Sequence, residues 1–528
     1  MKSVLAIALT LPLSAQVGYE RILRSDAEPG NWLTYSGNYA AHRYSSLDSI
    51  TESNVGKLQP IWIYQTSSLQ KFETSPIVVD GIMYISEPPS NVTALDTRTG
   101  RPLWRYRRTM PDDVRVCCGQ VNRGVAILGD LVFIGTVDAH LVALHAKSGA
   151  VMWDVAVADY KAGYSVTAAP LAVKDKIVLG MAGGEYGVRG FLDAYDAKTG
   201  KLSWRFWTIP GPGEKGNDSW KGDSWKTGSA ATWVTGAFDP ETNLLYWGTG
   251  NPGPDWNGDV RAGDNLYSDC LVAVDADTGK LKWYFQFTPH DVHDWDATQV
   301  PVLVDGEVRG QKRKLLLFPN RNAFYYVLDR ISGEFLVGRA YAKQTWAKGL
   351  DDRGRPIRVP NTFPSLQGTA VWPAVAGANN WYSPTFSPRT GLLYVATREA
   401  GSVYFIGDAE YKEGEQFNGG GFRGIPGGEE WGAVRAMDPA TGVLKWEHRL
   451  FSPPWAGLLS TAGNLVFGAT NEGQVFALQA STGKPLWRFQ AGGAARGNPV
   501  SYSVDGKQYV AVTMGNGLYV FGLADNQP

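Results

Sequence analysis

The sequence has little of what transition-metal, haem, nucleic-acid-binding and membrane proteins need. Only three cysteines and six histidines occur among 528 residues. No Cys-x-x-Cys-His motif is present, so a fused c-type haem domain is not expected. Lysine plus arginine (50) almost equal aspartate plus glutamate (51), and this balance excludes the basic surface of a nucleic-acid-binding protein. No later stretch is long and apolar enough to span a bilayer.

The N-terminus has the pattern of a secretory signal. One lysine, a short apolar run and small residues occupy residues 1–15, as in signal peptides that are removed on export. A buried first strand is the alternative interpretation. We predict a signal peptide over residues 1–15, a periplasmic protein, and a single folded domain over residues 28–525.

Glycine (62), proline (30) and tryptophan (20) are abundant, and glycine and proline at this level suit many short strands and turns. The tryptophans follow a repeated phrase, which reads Ala94-Leu-Asp-Thr-Arg-Thr-Gly-Arg-Pro-Leu-Trp104 in its first copy. Five further copies keep the tryptophan: Ala143 to Trp153, Ala194 to Trp204, Ala273 to Trp283, Ala436 to Trp446 and Ala477 to Trp487. A degenerate copy, Val327 to Gly333, lacks it.

Each copy predicts a β-hairpin. One strand ends before the Asp-x-x-Thr-Gly turn, the glycine supplies a positive φ, and the next strand starts at the tryptophan. Most copies follow another strand pair, so each repeat contributes about four strands, as in a β-propeller blade. The fold is therefore predicted to be all-β, and the number of copies leaves seven and eight blades open.

Two adjacent cysteines, Cys117 and Cys118, stand out beside this repeat. Neighbouring Cα atoms lie about 3.8 Å apart, less than the usual 4.4–6.8 Å across a disulfide. A bond between them would be strained, and such strain tends to occur at functional sites. Two unpaired thiols in a core strand are the alternative. Cys270 is predicted to be a buried free thiol.

Together, the tryptophan phrase and the vicinal cysteines resemble the quinoprotein alcohol dehydrogenases. The resemblance runs from Asn31 to Phe521. It implies an eight-bladed propeller with tryptophan-docking repeats that binds pyrroloquinoline quinone (PQQ) and a metal ion on its axis. It also implies that Cys117 and Cys118 form a disulfide against one face of the quinone.

The resemblance assigns cofactor contacts to nine residues: Glu73, Cys117, Cys118, Arg123, Thr167, Trp233, Arg321, Asn380 and Trp455. Several have simpler interpretations. Glu73 could lie at a solvated strand end, Thr167 could be an ordinary strand residue, Trp233 could be a core residue, and Arg321 could lie on the surface. Ala182 stands where some relatives have serine, so one hydrogen bond to PQQ would be missing there, and Ala231 replaces a polar residue of some relatives.

By the same resemblance, Glu185, Asn251 and Asp296 bind the metal ion, and Asp296 is also the general base. Oxygen ligands of this kind suit Ca²⁺ and argue against zinc. Lanthanide-dependent relatives carry a second aspartate two residues after the base, where this chain has Thr298, so calcium is expected. His290 and His293, close to Asp296 in sequence, are not expected to bind metal.

The predicted reaction is the oxidation of a small alcohol to an aldehyde, with electrons passed to a separate soluble cytochrome c. A homodimer is one assembly that the resemblance allows. Two alternatives are a quinoprotein acting on polyols or sugars, and a non-enzymatic propeller scaffold such as an outer-membrane assembly factor. The insertions at 211–226 and 341–372 are expected to lie over the cofactor face.

Overall fold

The computed structural model describes residues 17–524. The predicted signal peptide and the last residue of the predicted domain lie outside this range. Strands dominate the regular structure of the described part of the chain, which has one short α-helix, Tyr19–Leu23. None of its helices combines the length and the apolar character needed to cross a bilayer. The all-β prediction is confirmed.

Four antiparallel sheets follow one another along the first half of the described chain, each with its four strands paired in sequence order. Sheet 1 contains Ile77–Val79, Ile82–Glu87, Asn91–Asp96 and Pro102–Tyr106; sheet 2 contains Ala126–Leu128, Leu131–Gly135, His140–His145 and Val151–Ala156; sheet 3 contains Leu171–Val173, Lys176–Gly180, Phe191–Asp196 and Leu202–Trp207; sheet 4 contains Ala237–Asp239, Leu244–Gly248, Cys270–Asp275 and Leu281–Gln286.

Four further sheets occupy the second half. Sheet 5 contains Val302–Val308, Gln311–Pro319, Phe324–Asp329 and Phe335–Ala340; sheet 6 contains Thr385–Ser387, Leu392–Glu399, Trp431–Met437 and Leu444–Leu450; sheet 7 contains Leu459–Thr461, Leu465–Ala469, Gln474–Gln479 and Pro485–Gln490, with Tyr44–Ser45 at its edge; sheet 8 contains Val500–Val504, Lys507–Met514, Gly517–Leu523 and Leu58–Gln65. Sheet 8 thus joins an early strand to the last three described strands.

Five more strands lie in insertions. Ala347–Leu350 pairs with Pro356–Arg358, and Ser402–Ile406 pairs with both Thr369–Val371 and Gly420–Gly424. Seven short 3-10 helices complete the described elements: Ser25–Ala27, Val55–Lys57, Tyr160–Ala162, Gly184–Tyr186, Asn217–Ser219, Ser224–Thr227 and Gly258–Arg261.

The repeated phrase forms the last hairpin of a sheet, as predicted. In the first copy, Asp96 accepts hydrogen bonds from the backbone N–H groups of Arg98 and Thr99, and Gly100 has φ +69°. One detail of the prediction is wrong, since the following strand begins at Pro102, two residues before Trp104. A register shift between Ala94 and Leu95 lets pairing resume directly after the turn.

The repeat tryptophans connect neighbouring sheets. Each ring covers the turn glycine of the next sheet so closely that a Cβ there would lie within 2.4–2.9 Å of it: Trp104 on Gly149, Trp153 on Gly200, Trp204 on Gly279, Trp283 on Gly333 and Trp446 on Gly483. Most of these indoles also donate to a turn carbonyl, as Trp104 does to the Ala146 oxygen at 2.8 Å. In sheet 5, which has the degenerate copy, Tyr325 covers Gly442 instead.

The first and last sheets are connected in the same way. Trp487 of sheet 7 donates to the Leu58 carbonyl of sheet 8 at 3.2 Å. Trp62 of sheet 8 covers Gly100 of sheet 1 and donates to the Thr97 carbonyl at 2.9 Å. The same docking contact therefore leads from sheet to sheet and back to sheet 1.

Candidate active site

Six predicted site residues occupy equivalent positions in different sheets. They lie three to five residues before the first strand of a sheet: Glu73, Arg123, Thr167, Trp233, Asn380 and Trp455, before strands that begin at Ile77, Ala126, Leu171, Ala237, Thr385 and Leu459. Backbone hydrogen bonds hold the first of these segments side by side, from Ser75 N–H to the Arg123 oxygen and from Arg123 N–H to the Thr167 oxygen. The repeat architecture thus brings residues that are distant in sequence to one end of the sheets.

A second group lies in loops that join the second and third strands of successive sheets. Glu185 follows the strand that ends at Gly180, Asn251 follows Gly248, and Arg321 follows Pro319. First and second strands are antiparallel, so a first strand begins at the end of the sheet where the second strand finishes. Both groups of residues therefore face the same end.

Asp296 is the centre of the site. Its Oδ1 accepts from the Asn251 backbone N–H at 2.8 Å, and its Oδ2 accepts from Arg321 Nη1 at 2.6 Å and Trp233 Nε1 at 3.2 Å. The carboxylate is buried. Burial raises the pKa of Asp296 above its ordinary value, and the Arg321 guanidinium opposes that rise.

Two glycines leave room for this ion pair. A Cβ at Gly250 would lie 2.5 Å from Asp296 Oδ1, and one at Gly377, which has φ +70°, would lie 1.9 Å from Arg321 Cγ. Arg321 is buried and also donates to the Val375 carbonyl from both Nε and Nη2. The simpler interpretation of Arg321 as a surface residue is wrong.

Arg123 contacts several other predicted site residues. It forms an ion pair with Glu73 at 2.8 Å and donates to Thr167 Oγ1 at 2.9 Å. Its guanidinium carbon lies 4.9 Å from the centroid of the Trp233 ring and 4.7 Å from that of Trp381. Glu73 is buried rather than solvated, and Trp233 is only half-buried.

The adjacent cysteines form the disulfide that the family resemblance implied. Both are exposed and lie outside any strand, so the alternative of two thiols in a core strand is wrong. Their sulfurs and a carboxylate oxygen of Glu185 all lie within 4.8 Å of one another. Burial, followed by the nearby Asp296 charge, raises the pKa of Glu185 to about 7. Cys270 is a buried free thiol, as predicted.

Asn380 and Trp455 are less directly connected to Asp296. The Asn380 side chain donates to the Ala376 carbonyl and accepts from Trp381 N–H, so it orders the loop that places Trp381 against Arg123. Trp455 lies under the guanidinium of Arg398, at 4.2 Å. His290 and His293 bond to the carbonyls of Gly263 and Thr362.

Sequence reasoning missed three features of this site. Arg496 lies four residues before the first strand of sheet 8 and faces Trp455 at 5.5 Å; its position relative to that strand was the available signal. Asp255, four residues after Asn251, accepts from the Asn251 side-chain amide. The segment 407–420 contacts the Glu185 loop through a hydrogen bond from Phe417 N–H to the Glu185 carbonyl at 2.7 Å, and nothing in its sequence predicted this.

The insertion at 341–372, which is expected to lie over the cofactor face, borders the stretch that carries Asp296. Arg358 donates to the carbonyls of Pro289 and His290, and Thr362 accepts from His293. In the other insertion, residues 211–226, Trp220 packs with Ile209 and Ala230 in a small separate cluster.

The side chains at this site fit the metal ion and the PQQ that the family resemblance implies. Glu185, Asn251 and Asp296 offer the hard oxygens that Ca²⁺ takes as ligands. Arg123, Arg321 and Arg496 offer guanidinium groups for the carboxylates and carbonyl oxygens of PQQ, and Trp233 offers a half-buried aromatic face. Arg123 Nε is buried without a hydrogen-bond partner among the described residues, so this cation retains a free donor.

Two family models match the chain. Residues 32–340 match the PQQ model, described as "Glucose/ethanol/alcohol dehydrogenase, beta-propeller domain". Residues 430–526 match the model described as "Outer membrane protein assembly factor BamB". The first match contains every residue that contacts Asp296, whereas the second contains none of them.

Whole-chain relatives agree with the first model. The quinoprotein alcohol dehydrogenase PedH of Pseudomonas putida is 41% identical over 97% of this chain and 90% of that protein. The quinoprotein ethanol dehydrogenase of Pseudomonas aeruginosa is 37% identical over 96% of this chain and 89% of that protein. A solved europium-containing methanol dehydrogenase is 33% identical, with a TM-score of 0.90 and coverage of 96% of this chain and 100% of that one.

Proposed function

The chain belongs to the PQQ-dependent quinoprotein alcohol dehydrogenases and has their β-propeller fold, and on this premise we propose that it oxidises small alcohols to aldehydes in the periplasm. The proposal includes PQQ with Ca²⁺ at the site around Asp296 and a soluble cytochrome c as electron acceptor. The observation that carries it is the placement of Asp296, which is buried and held at both oxygens by Asn251, Trp233 and Arg321.

Glu185, Asn251 and Asp296 would hold the ion, and the guanidinium groups of Arg123 and Arg321 would hold PQQ. When bound, PQQ would supply the acceptor for the hydride of the alcohol carbon. We propose Ca²⁺ because Thr298 is neutral where lanthanide-dependent relatives carry a second aspartate. The Thr298 side chain is buried, and its neutral hydroxyl adds no charge to balance a trivalent ion.

Residues of the chain itself would accept the hydroxyl proton of the alcohol and orient the group that accepts it. Asp296 accepts the hydroxyl proton of the alcohol, and its raised pKa favours that transfer. The hydrogen bonds from Asn251 N–H and Trp233 orient the carboxylate, so its reacting oxygen needs no rearrangement. Arg321 lies 2.6 Å from the same carboxylate and places a fixed positive charge beside the reacting centre.

We also propose that the eight sheets are the blades of one closed propeller. The docking contacts support this arrangement, because each sheet packs on the next and Trp62 of sheet 8 packs on Gly100 of sheet 1. Residues 1–15 would be the signal peptide that delivers this domain to the periplasm. A cytochrome partner is proposed because the chain has no haem attachment motif of its own.

A dye-linked alcohol oxidation assay on purified protein tests the function. Activity is expected only when PQQ and Ca²⁺ are both present. Asp296→Asn should bind PQQ and lose turnover, because the amide cannot accept the proton. Protein that binds no PQQ with any ion would contradict the proposal and return the chain to the scaffold alternative, for which the BamB match at residues 430–526 is the supporting observation.

A polyol or sugar substrate is the second candidate, because the description of the matching family model includes glucose dehydrogenase. A panel of primary alcohols, glycerol and glucose, compared by kcat/KM, separates the two. We expect the primary alcohols to be preferred.

A further inference from the structure

We infer that Asp255 is a positioning residue, which turns the side-chain amide of Asn251 so that its oxygen faces the metal ion. This inference rests on the proposed function, in which Asn251 is an ion ligand. The notable feature is a buried carboxylate that contacts Asn251 and has no role in the reaction as described above.

The contact selects one of the two orientations of the amide. Asn251 Nδ2 donates to Asp255 Oδ1 at 2.8 Å and to the Pro252 carbonyl at 3.4 Å. The Pro252 carbonyl only accepts hydrogen bonds, so the side of the amide that faces this carbonyl and Asp255 Oδ1 must be the NH₂. The amide oxygen then points away from Asp255. Since a cation binds only that oxygen, the rejected orientation would present N–H groups to the ion.

Arg261 holds the backbone next to Asp255 in place. Arg261 is fully buried, and it donates to the Pro254 carbonyl from Nε at 3.1 Å and from Nη2 at 2.9 Å. Its Nη2 also donates to the Asp291 carbonyl at 2.6 Å. One side chain therefore connects the Asn251–Asp255 turn to the stretch that carries Asp296. The site thus contains a ligand, a group that orients the ligand, and a group that holds both, as metal sites commonly do.

Two other roles for Asp255 make different predictions. If Asp255 were a direct ligand, its removal would weaken ion binding whatever residue stands at position 251. If it supplied only negative charge, the neutral Asp255→Asn would be as harmful as Asp255→Ala. An orienting role predicts that Asp255→Asn is tolerated, because its carbonyl oxygen can accept the same hydrogen bond.

Equilibrium dialysis of radioactive Ca²⁺ against the purified full-length protein with PQQ measures the effect without relying on turnover. Asp255→Ala should raise the Kd for Ca²⁺ by about 10–100-fold, the usual cost of losing such an orienting group. Asp255→Asn should stay within about twofold of the wild type, the scatter of uncoupled substitutions. In an Asn251→Asp background, Asp255→Ala should no longer weaken binding, because both oxygens of a carboxylate are equivalent.

Each outcome has a defined meaning. Equal affinities of wild type and Asp255→Ala, or equal losses in Asp255→Ala and Asp255→Asn, would overturn the orienting role. So would a loss in the Asn251→Asp background as large as in the Asn251 background. Wild-type protein that binds no Ca²⁺ in the presence of PQQ would instead refute the proposed function, so the two failures are distinguishable. The Asp255→Asn and double variants keep the test decisive if Asp255→Ala alone misfolds.

Discussion

Asp296 has hydrogen-bond partners at both carboxylate oxygens, and its position depends on a residue without a side chain. Gly250 N–H bonds to the Ala231 carbonyl, and the next N–H, that of Asn251, bonds to Asp296 Oδ1. A methyl group on Gly250 would lie 2.5 Å from that oxygen. The Asp296 carboxylate and the backbone that holds it are therefore fitted to each other.

This contact gives a prediction for Gly250→Ala. The methyl group should displace Asp296 and lower kcat by about 100-fold, the scale expected when a catalytic group is misplaced by about 1 Å. Steady-state kinetics with dye as acceptor measures the change, and PQQ content should remain normal. Gly184→Ala is the matched control near the site, because its Cβ would meet nothing closer than 3.6 Å. An unchanged kcat in Gly250→Ala would show that Asp296 is not held as described.

At the scale of an element, the segment 407–420 connects two loops that carry proposed ion ligands. Phe417 N–H donates to the Glu185 carbonyl at 2.7 Å, and Trp256 N–H, one residue after Asp255, donates to the Asn418 carbonyl at 3.0 Å. Gly407 N–H donates to the Gly419 carbonyl and closes the base of the segment. The order of this segment should therefore depend on the order of both ligand loops.

Limited proteolysis tests that dependence. Lys412 lies on the segment and is exposed, so trypsin can cut there. Because ligands that bind the ordered state suppress local opening, PQQ with Ca²⁺ should slow cleavage after Lys412 as the site fills. Mass spectrometry of the fragments identifies the cut, and Lys412→Gln should remove it. Cleavage at the same rate with and without both ligands would contradict the coupling.

The docking contact between sheets predicts a specific cost for Gly149→Ala. Gly149 has φ +72°, and its Cβ would lie 2.5 Å from Trp104; Gly391 has φ +67° in a similar turn, with nothing within 4 Å. Both alanine variants incur the left-handed backbone cost of about 1–2 kcal/mol. Gly149→Ala should lose about 1–3 kcal/mol more from overpacking. Calorimetry should therefore give a lower Tm for Gly149→Ala than for Gly391→Ala, and equal values would contradict tryptophan docking.

The sequence predicted those features of the sheets in which local geometry restricts a position to one type of residue. The turn glycines and the turn aspartates were predictable, because φ and hydrogen bonding restrict the residue, whereas the docking role of the tryptophans came from the family resemblance. Tyr325 was not predictable, since it replaces a docking tryptophan from a different strand. The contact of Phe417 with Glu185 joins residues 232 positions apart through backbone atoms, and no side-chain pattern encodes such a contact.

At the scale of the whole molecule, the site exists because many sheets present the same position at the same end. Residues before first strands and residues after second strands meet there, from Glu73 in the first sheet to Arg496 before the last. Family resemblance identified most of these positions. Asp255 was missed, since its importance follows from which loops are neighbours in space, and Arg496 was missed although its position before a first strand was an available signal.

A crystal structure of the protein with PQQ and Ca²⁺ tests the central claim most directly, namely that the ends of these sheets form one cofactor and ion site. The account predicts a closed ring of eight sheets, with oxygens of Glu185, Asn251 and Asp296 about 2.3–2.6 Å from the ion. It also predicts PQQ between the Cys117–Cys118 disulfide and Trp233. An ion bound elsewhere, or PQQ absent from the space beside Asp296 in saturated crystals, would contradict it.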